Sequence, residues 1–377
     1  MAGIYLHIPF CKSKCPYCNF YSVASVKHRK DFLKALGKEI SSSGSYLQDQ
    51  PVNTVYFGGG TPSLLDKKEI GSVMDDLYSH FNLSSGTEIT FEANPDDITP
   101  LKLEELKSLG INRLSIGVQS FFNEDLEYLG RSHDGKQSER SVLTALEKGF
   151  TNLSIDFIYG MPCSNGNHLA KNLEKAVNLN IPHISAYALT IEPKTPMDIL
   201  IRKNKIRGPD EGKAASQFMF VMKFLTDNSY EHYEISNFCL PGMYSRHNSS
   251  YWSGEHYLGL GPSAHSFNGN SRQWNISNIT QYVSLVNSQQ AYFEMEELTA
   301  VQKFNEYIMT SIRTKWGVSP AKIRRDFGEK AFFYFLSCVA PYIRAGQIEE
   351  KEGVYTLGTK GKLFADGISA ALFMDDD

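Results

Sequence analysis

Three cysteines lie within eight residues near the start of the chain: Cys11, Cys15 and Cys18, in the segment Ile-Pro-Phe-Cys-Lys-Ser-Lys-Cys-Pro-Tyr-Cys. Thiolates at this C-x3-C-x2-C spacing can hold three irons of a cubane [4Fe–4S] cluster on one short loop. Four cysteines close such a cluster for electron transfer, whereas three leave the fourth iron free for a ligand that is not protein. The segment therefore predicts an iron–sulfur site with one open iron, which is what cleavage of S-adenosylmethionine (SAM) by a reduced cluster requires.

Two other roles for the three cysteines were weighed. A structural disulfide is disfavoured, because the clustered cysteines are odd in number. A structural zinc ion needs four ligands, and His7 or His28 could complete a Cys3His set, so zinc stays an alternative. The other three cysteines, Cys163, Cys239 and Cys338, are widely separated in the sequence and are interpreted as isolated core residues.

Length and composition limit the class of protein. The chain has 377 residues, of which 41% are hydrophobic and 21% charged, and its formal net charge is −4. These values are typical of a globular protein with a large core, and they give no electrostatic case for binding nucleic acid or an anionic membrane. We expect a cytoplasmic protein, because no apolar run approaches roughly 20 residues, no targeting segment is recognised and an oxygen-labile cluster suits a reducing compartment.

Six strand-like segments, most of them followed by a helical pattern, occupy the first two hundred residues. They are predicted at residues 3–8, 54–57, 88–92, 113–118, 153–158 and 184–189. This alternation predicts parallel strands joined by right-handed crossovers. Polar or small residues are expected at or just beyond the carboxyl end of each strand, namely Cys11, Gly58, Glu92, Gln119, Asp156 and Ala188. Because barrels build their sites on that rim, we predict an α/β fold with a partial (βα)6 TIM-like barrel rather than a doubly wound sheet.

The sequence pattern changes after about residue 230. Residues 231–297 show no clear βα repeat and are interpreted as a barrel extension with connecting loops, after a barrel over residues 1–230. Helices are then predicted over 304–314, 320–326 and 331–344, followed by a hairpin of 347–350 with 354–357. Residues 298–377 therefore predict a smaller α+β winged-helix-like domain. Its helix at 331–336 is too apolar for a DNA groove, so we expect a packing role.

Considered together, these motifs resemble a known family. The cysteine segment follows the first strand, and Tyr-Phe-Gly-Gly-Gly-Thr-Pro, residues 56–62, comes from the second. This combination resembles the oxygen-independent coproporphyrinogen III oxidase (HemN) family of radical SAM proteins, from Gly3 to about Leu200 and again over 251–267. The resemblance implies a [4Fe–4S] cluster on the three cysteines, SAM on the open iron and an electron donor such as flavodoxin or ferredoxin.

The resemblance also implies a set of SAM contacts by matched position. They are Tyr5, Tyr17, Gly59, Gly60, Thr61, Glu92, Gln119, Arg131, Asp156 and Ala188. The glycines are expected to let the backbone approach the methionyl part of SAM, where a side chain would collide. A carboxylate at Glu92 can accept hydrogen bonds from the ribose hydroxyls or the amino group. The alternatives are an ordinary tight turn for the glycines and a solvated strand end for Glu92.

Departures from HemN point to the haem-chaperone branch of the family, HemW. HemN proteins carry a further cysteine two residues after the third ligand, where this chain has Phe20, and no counterpart of their long N-terminal segment is expected. Residues 18–22, Cys-Asn-Phe-Tyr-Ser, and 246–252, Arg-His-Asn-Ser-Ser-Tyr-Trp, instead resemble HemW. In that branch the motif histidine, His247 here, is associated with haem binding, and imidazole is a natural axial ligand. The alternative for His247 is a hydrogen bond across a loop under the barrel.

Two functions from different classes follow. The first is a haem chaperone that binds haem and passes it to an acceptor protein. The alternative is a coproporphyrinogen III oxidase, which uses SAM for the oxidative decarboxylation of porphyrinogen propionates. Haem or a porphyrin is the expected ligand in both cases, and nucleic acid in neither.

Overall fold

The computed structural model describes residues 2–164 and 166–375. Its strands are β1 Ala2–Ile8, β2 Val52–Gly59, β3 Leu83–Ala93, β4 Arg113–Gln119, β5 Leu153–Tyr159, β6 His183–Ala188, β7 Glu231–Glu234, β8 Asn237–Cys239, β9 His256–Leu260, β10 His265–Phe267, β11 Ser271–Asn275, β12 Phe293–Glu297, β13 Ile348–Lys351 and β14 Val354–Leu357. Its helices are α1 Arg29–Ser42, α2 Lys67–His80, α3 Pro100–Ser108, α4 Asn123–Tyr128, α5 Gly135–Glu147, α6 Gly166–Asn178, α7 Pro196–Arg202, α8 Glu211–Asp227, α9 Arg246–Ser253, α10 Ile279–Asn287, α11 Ala300–Ile312, α12 Pro320–Arg344, α13 Thr359–Lys362 and α14 Ala365–Ala371.

The first six strands pair in chain order, and every pair is parallel. Nearly every residue of β1 is buried, as expected for a strand covered on both faces. Strand β1 has β9 as its other neighbour and β6 has β8, so the six strands do not close on themselves. The partial (βα)6 barrel predicted from the sequence is confirmed.

Residues 231–297 lengthen this sheet at both edges. Strands β8 and β7 continue it antiparallel beyond β6, whereas β9 lies parallel to β1 and is followed by the antiparallel strands β10, β11 and β12. The α9–β9 unit thus adds a seventh parallel strand, in a region where the sequence indicated no βα repeat. Its Tyr-, Asn- and Gly-rich composition hides the hydrophobic pattern on which such a prediction depends.

A buried carboxylate fastens this extension to the barrel. Glu39 of α1 accepts hydrogen bonds from the Gly261 amide at 2.7 Å, from Asn275 Nδ2 at 2.6 Å and from the Tyr282 hydroxyl. Burial raises the pKa of Glu39 to about 7, and these hydrogen bonds oppose the rise. A buried polar group that is fully hydrogen-bonded fixes the position of its neighbours.

The helix starts show the expected local signals. Thr99 caps α3 by accepting from the Lys102 amide at 3.1 Å, and Pro100 occupies the first helical position, as predicted. Asp66 and Asp134 form capping boxes at α2 and α5. Among the described residues, no helix combines the length and apolar character needed to cross a bilayer.

The C-terminal region has a hydrophobic core of its own. Phe304 and Ile308 of α11 pack there with Phe335 of α12 and with residues of the β13–β14 hairpin. Gly328, with φ of 86°, breaks α12 in the middle, so its two halves match the two helices predicted at 320–326 and 331–344. Helices followed by an antiparallel hairpin form the small α+β unit that the sequence predicted.

Candidate cluster and cofactor site

The three cysteines lie on the loop that follows β1, at the carboxyl ends of the barrel strands. All three are unpaired and half-buried. The Cys11 amide donates to the Val23 carbonyl at 3.1 Å, and the Val23 amide donates to the Pro9 carbonyl at 2.7 Å. The Cys18 amide bonds the Cys15 carbonyl at 3.1 Å, which makes a turn between the second and third cysteines. The loop is therefore held on the barrel by its own backbone.

The far side of the loop is held by residues from two other segments. The Met197 amide donates to the Pro16 carbonyl at 2.9 Å. Pro16 also lies against Gly130, where a Cβ would come within 2.7 Å of its ring. Tyr17 packs against a small hydrophobic cluster that includes Leu129 and Met197. The loop is thus held in place by contacts within the protein.

Two side chains from the barrel point donors at the cysteine sulfurs. Thr61 Oγ1 lies 3.5 Å from Cys11 Sγ, and Arg131 Nη1 lies 3.6 Å from Cys15 Sγ. Asn94 orders both of them, because its Nδ2 donates to Thr61 Oγ1 at 3.2 Å and its Oδ1 accepts from Arg131 Nη2 at 2.6 Å. Hydroxyl and guanidinium donors stabilise thiolates, which are the form of cysteine that binds iron.

The geometry disfavours the zinc alternative. Within the described ranges no three His, Cys, Asp or Glu side chains are placed to share one metal ion. Both ring nitrogens of His7 are engaged, Nε2 with the Tyr21 carbonyl at 2.8 Å and Nδ1 with the Tyr5 hydroxyl at 3.1 Å. A cubane cluster places each cysteine on a different iron, so its ligands do not need to converge on a single point.

A cavity of about 430 Å³ leads from the cysteine loop into the barrel. Its volume is within the range of small-molecule sites, about 300–1,000 Å³. It is lined by the three cysteines and by all but one of the SAM contacts predicted from the sequence, namely Tyr17, Gly59, Gly60, Thr61, Glu92, Gln119, Arg131, Asp156 and Ala188. Tyr5 is the exception; it is half-buried, and its ring lies near those of His7, Tyr56 and His247.

The glycines allow close contact between the turn after β2 and β1, and their expected contact with SAM stays a prediction. At Gly60 a Cβ would lie 2.7 Å from the carbonyl oxygens of Ile8 and Phe10. Gly59 has φ of +102°, and a Cβ there would lie 2.6 Å from the His7 ring. The amides of Gly60 and Thr61 donate to those same two carbonyls, at 2.8 and 2.7 Å. The run therefore locks the turn after β2 against β1, while its backbone still lines the cavity.

Glu92 points into the cavity near the end of β3. It accepts a hydrogen bond from the Tyr56 hydroxyl at 2.7 Å and another from the Gly59 amide. Burial raises the pKa of Glu92 to about 7, the Tyr56 hydrogen bond opposes this rise, and the negative charge of Asp156 adds to it. The carboxylate is available to accept from hydroxyl or amino groups of a ligand.

Asp156 lies in the middle of β5, not at its end as the sequence suggested. It pairs with Ser185 in the sheet register and accepts hydrogen bonds from Ser185 and Ser115. Burial raises its pKa to about 6, which the Ser185 hydrogen bond and the charge of Arg113 oppose. The prediction mistook an inward-facing position for a strand end, because both place a polar residue after apolar neighbours.

His247 is placed in the wall of the barrel and does not line the cavity. It is 1% exposed, its Nδ1 is hydrogen-bonded to Thr54 Oγ1 at 2.8 Å, and its Nε2 to the Tyr251 hydroxyl at 2.9 Å. Its ring stacks on Tyr56 with centroids 5.0 Å apart. Burial lowers the pKa of His247 to about 3. Neither nitrogen is free in this structure, which favours the hydrogen-bonding alternative, and haem-iron ligation by His247 stays a prediction.

Sequence reasoning missed several polar residues that line the cavity. The largest is Arg113, the first residue of β4, which reaches the inner end of the cavity and is 1% exposed. Ser115 and Gln119 share its face of the strand and line the same cavity. Alternate residues of a strand face the same side, so Arg113, Ser115, Gly117 and Gln119 share one face of β4. Because Gln119 was predicted to contact SAM, this spacing could have identified Arg113 as well.

Comparisons with known proteins agree with this geometry. Residues 5–176 match the model of the radical SAM superfamily. The chain is 34% identical to "Heme chaperone HemW" of Bacillus subtilis (strain 168) over 98% of this chain and 99% of that protein. It is 36% identical to the protein of the same name from Escherichia coli (strain K12), over 70% of this chain and 69% of that one.

A solved structure also matches nearly the whole fold. Coproporphyrinogen III oxidase (HemN) from Escherichia coli, a radical SAM enzyme, aligns with a TM-score of 0.85 and 25% identity, over 99% of this chain and 90% of that chain. The same barrel and C-terminal unit are thus present in both proteins. Full-length sequence likeness and shared fold together show that this chain belongs to the HemW-type branch of the HemN-like family of radical SAM proteins.

Proposed function

We propose that this protein is a haem chaperone of the radical SAM type, which binds haem and passes it to an acceptor protein. The observation that carries the proposal is the likeness to "Heme chaperone HemW" over 98% of this chain, with 99% of the relative covered. Such coverage leaves no large part of either protein unmatched.

The residues present fit the cofactors of the superfamily, a [4Fe–4S] cluster and SAM. Cys11, Cys15 and Cys18 would hold the cluster, which when reduced supplies the electron that cleaves SAM. Thr61 and Arg131 donate hydrogen bonds toward the cysteine sulfurs and so stabilise their negative charge. The other residues proposed to bind SAM are the cavity-lining ones given above.

Phe20 distinguishes the chaperone from the oxidase. It replaces the further cysteine of HemN proteins, and its side chain is 68% exposed at the cavity mouth. An exposed aromatic ring beside a cavity is suited to contact the face of a porphyrin. The likeness to HemN, at 25% identity, is also lower than the 34% identity to the chaperone, so the oxidase is the less supported function.

The proposal includes two protein partners and a compartment. A flavodoxin or ferredoxin would reduce the cluster, because the chain offers no second redox group among its predicted cofactors. A haem protein would be the acceptor. We place the protein in the cytoplasm, because unpaired half-buried cysteines that must bind iron need a reducing environment.

Anaerobic reconstitution followed by two parallel assays tests this function. We expect an iron–sulfur absorbance, a change in the electron paramagnetic resonance signal of the reduced cluster when SAM is added, and a Soret shift when haem is titrated. Coproporphyrinogen III, incubated with reductant and SAM, should be recovered unconverted. Decarboxylated product at catalytic yield would replace the chaperone by the oxidase, and full zinc occupancy without iron would reject the cluster.

A further inference from the structure

A buried arginine with an unpaired donor lies at the inner end of the cavity. Arg113 is 1% exposed, and it lines the cavity on the side away from the cysteine loop. Its Nε has no hydrogen-bond partner among the described residues. A buried donor that makes no hydrogen bond has lost its hydration without replacement. An unpaired guanidinium donor beside a cavity is expected where a ligand supplies the acceptor.

The carboxyl and imidazole groups near Arg113 make their hydrogen bonds with other residues. Glu92 and Asp156 influence it through space, but they accept their hydrogen bonds from Tyr56 and from two serines. His183 uses both ring nitrogens, with Ser154 Oγ and the Tyr233 hydroxyl each at 2.7 Å. His247 likewise uses both of its nitrogens.

The two histidines therefore do not neutralise or compete with Arg113. Burial and the charge of Arg113 lower the pKa of both imidazoles, so both are neutral at physiological pH. The guanidinium is the one fixed positive charge at this end of the cavity within the described residues. A ligand that extends into the cavity beyond the predicted SAM contacts would reach the Arg113 guanidinium.

We infer that Arg113 binds a carboxylate group of a ligand that enters the barrel beyond the cysteine loop. A guanidinium presents paired donors that match the two oxygens of a carboxylate. A single negative charge fits better than a phosphate dianion, because Glu92 and Asp156 already place two carboxyl groups around the cavity. The inference deepens the proposed function and rests on it. The carboxylate would come either from a porphyrin propionate or from the amino-acid end of a second SAM molecule.

Replacement of Arg113 by methionine separates binding from folding. Methionine is of similar length, so it removes the charge and the donors of Arg113 while it fills much of the same space. The melting temperature of Arg113→Met without ligand shows whether the variant is folded, and binding is compared at a temperature at which it is. Arg113→Lys keeps the charge and is the conservative variant, and Arg140→Met, on the exposed face of α5, is the control for removing one arginine.

The first arm compares haem with haem dimethyl ester, in which both propionates are esterified. If the carboxylate comes from the porphyrin, the parent should bind haem at least about tenfold more tightly than the ester, as expected for a charge-assisted contact. Arg113→Met should remove that preference, whereas Arg113→Lys should retain part of it and Arg140→Met all of it. Because the preference for haem over its ester is first measured on the parent, that measurement does not depend on how any variant folds.

The second arm measures how many SAM molecules bind the reconstituted protein, by equilibrium dialysis with labelled SAM. If the carboxylate comes from a second SAM, the parent should bind two per chain and Arg113→Met one. Equal binding of haem and its ester, together with unchanged SAM stoichiometry in Arg113→Met, would overturn the inference and leave the chaperone function standing. If Arg113→Met binds one SAM fewer than the parent and the parent binds no haem, the carboxylate-binding role of Arg113 would be supported and the chaperone function rejected.

Discussion

The two ends of the barrel carry similar polar residue types but differ in how those residues are partnered. At the rim, the carboxyl ends of the strands, Cys11, Glu92 and Arg131 face the cavity with atoms available to a ligand. At the floor, the amino ends of the strands, His183 and His247 have both ring nitrogens hydrogen-bonded within the protein. Residue type therefore indicates binding chemistry only where a donor or acceptor is left unused. At the floor, Arg113 has such a donor, its Nε.

The largest expected effect lies at the rim. Replacing Cys11, Cys15 or Cys18 by alanine removes a thiolate that no neighbour can supply, so iron content and cluster absorbance after reconstitution should fall close to background. Cys163→Ala is the matched control, because that cysteine lies outside the site and is exposed, not in the core as interpreted from the sequence. Full iron content in any one of the three variants would contradict the assignment of these cysteines as cluster ligands.

At the floor, His247→Ala should act on stability. The change deletes two buried hydrogen bonds and leaves a void, which predicts a loss of about 2–4 kcal/mol in the free energy of unfolding. Thr54→Val, which removes one of the two hydrogen bonds and leaves the imidazole in place, should give a smaller loss of the same kind.

The spectrum of bound haem tests whether His247 ligates the haem iron or only makes hydrogen bonds within the protein. In the folded fraction of both variants, the Soret band of bound haem should match that of the parent. A band altered by His247→Ala and unaltered by Thr54→Val would restore iron ligation, and with it the expectation drawn from the sequence motif.

Gly59 is a rim position at which the structure predicts an effect on folding. Gly59→Ala forces a side chain into φ of +102° and against the His7 ring, so the free energy of unfolding should fall by about 1–3 kcal/mol. Gly86→Ala is the control, because a Cβ there meets no atom within 4 Å. Equal stability of the two variants, with weaker SAM binding only for Gly59→Ala, would favour the cofactor role first expected.

Glu92→Gln should give the smallest of these effects, on ligand affinity. Loss of the charged acceptor should weaken SAM binding about tenfold at pH 8, measured by calorimetry. In the parent, affinity should rise between pH 6 and 8 as a carboxyl with a pKa of about 7 ionises. The control is Glu104→Gln, which changes an exposed carboxylate paired with Lys148. A pH profile identical in the parent and Glu92→Gln would remove Glu92 from the site.

The same pKa has an opposite consequence for the protein without ligand. The folded carboxyl of Glu92 holds its proton more tightly than the unfolded one, whose pKa is near the ordinary 4.5. Its contribution to stability is therefore complete below about 4.5 and is lost as the pH rises to about 7. Glu92→Gln should flatten this part of the stability profile.

The cysteine spacing and the βα alternation were sufficient to predict the cluster loop and the open barrel, because both depend on local sequence order. The seventh parallel strand was missed, since its residues lack a clear hydrophobic period. The glycine run was found, but its close packing against β1 was not. Which atoms surround a missing Cβ depends on β1, more than forty residues away in the chain.

By itself the sequence determined which chemistry the rim of this protein can support, since thiolates at fixed spacing on one loop need no distant partner to be recognised. Only the tertiary structure decided which polar side chains are available to a ligand. His247 fits a haem ligand by motif, but Thr54 and Tyr251 occupy its nitrogens. Arg113 has the sequence pattern of an ordinary strand residue, yet it is buried and its Nε has no hydrogen-bond acceptor within the described residues. Whether a polar atom is satisfied depends on neighbours that chain order does not supply.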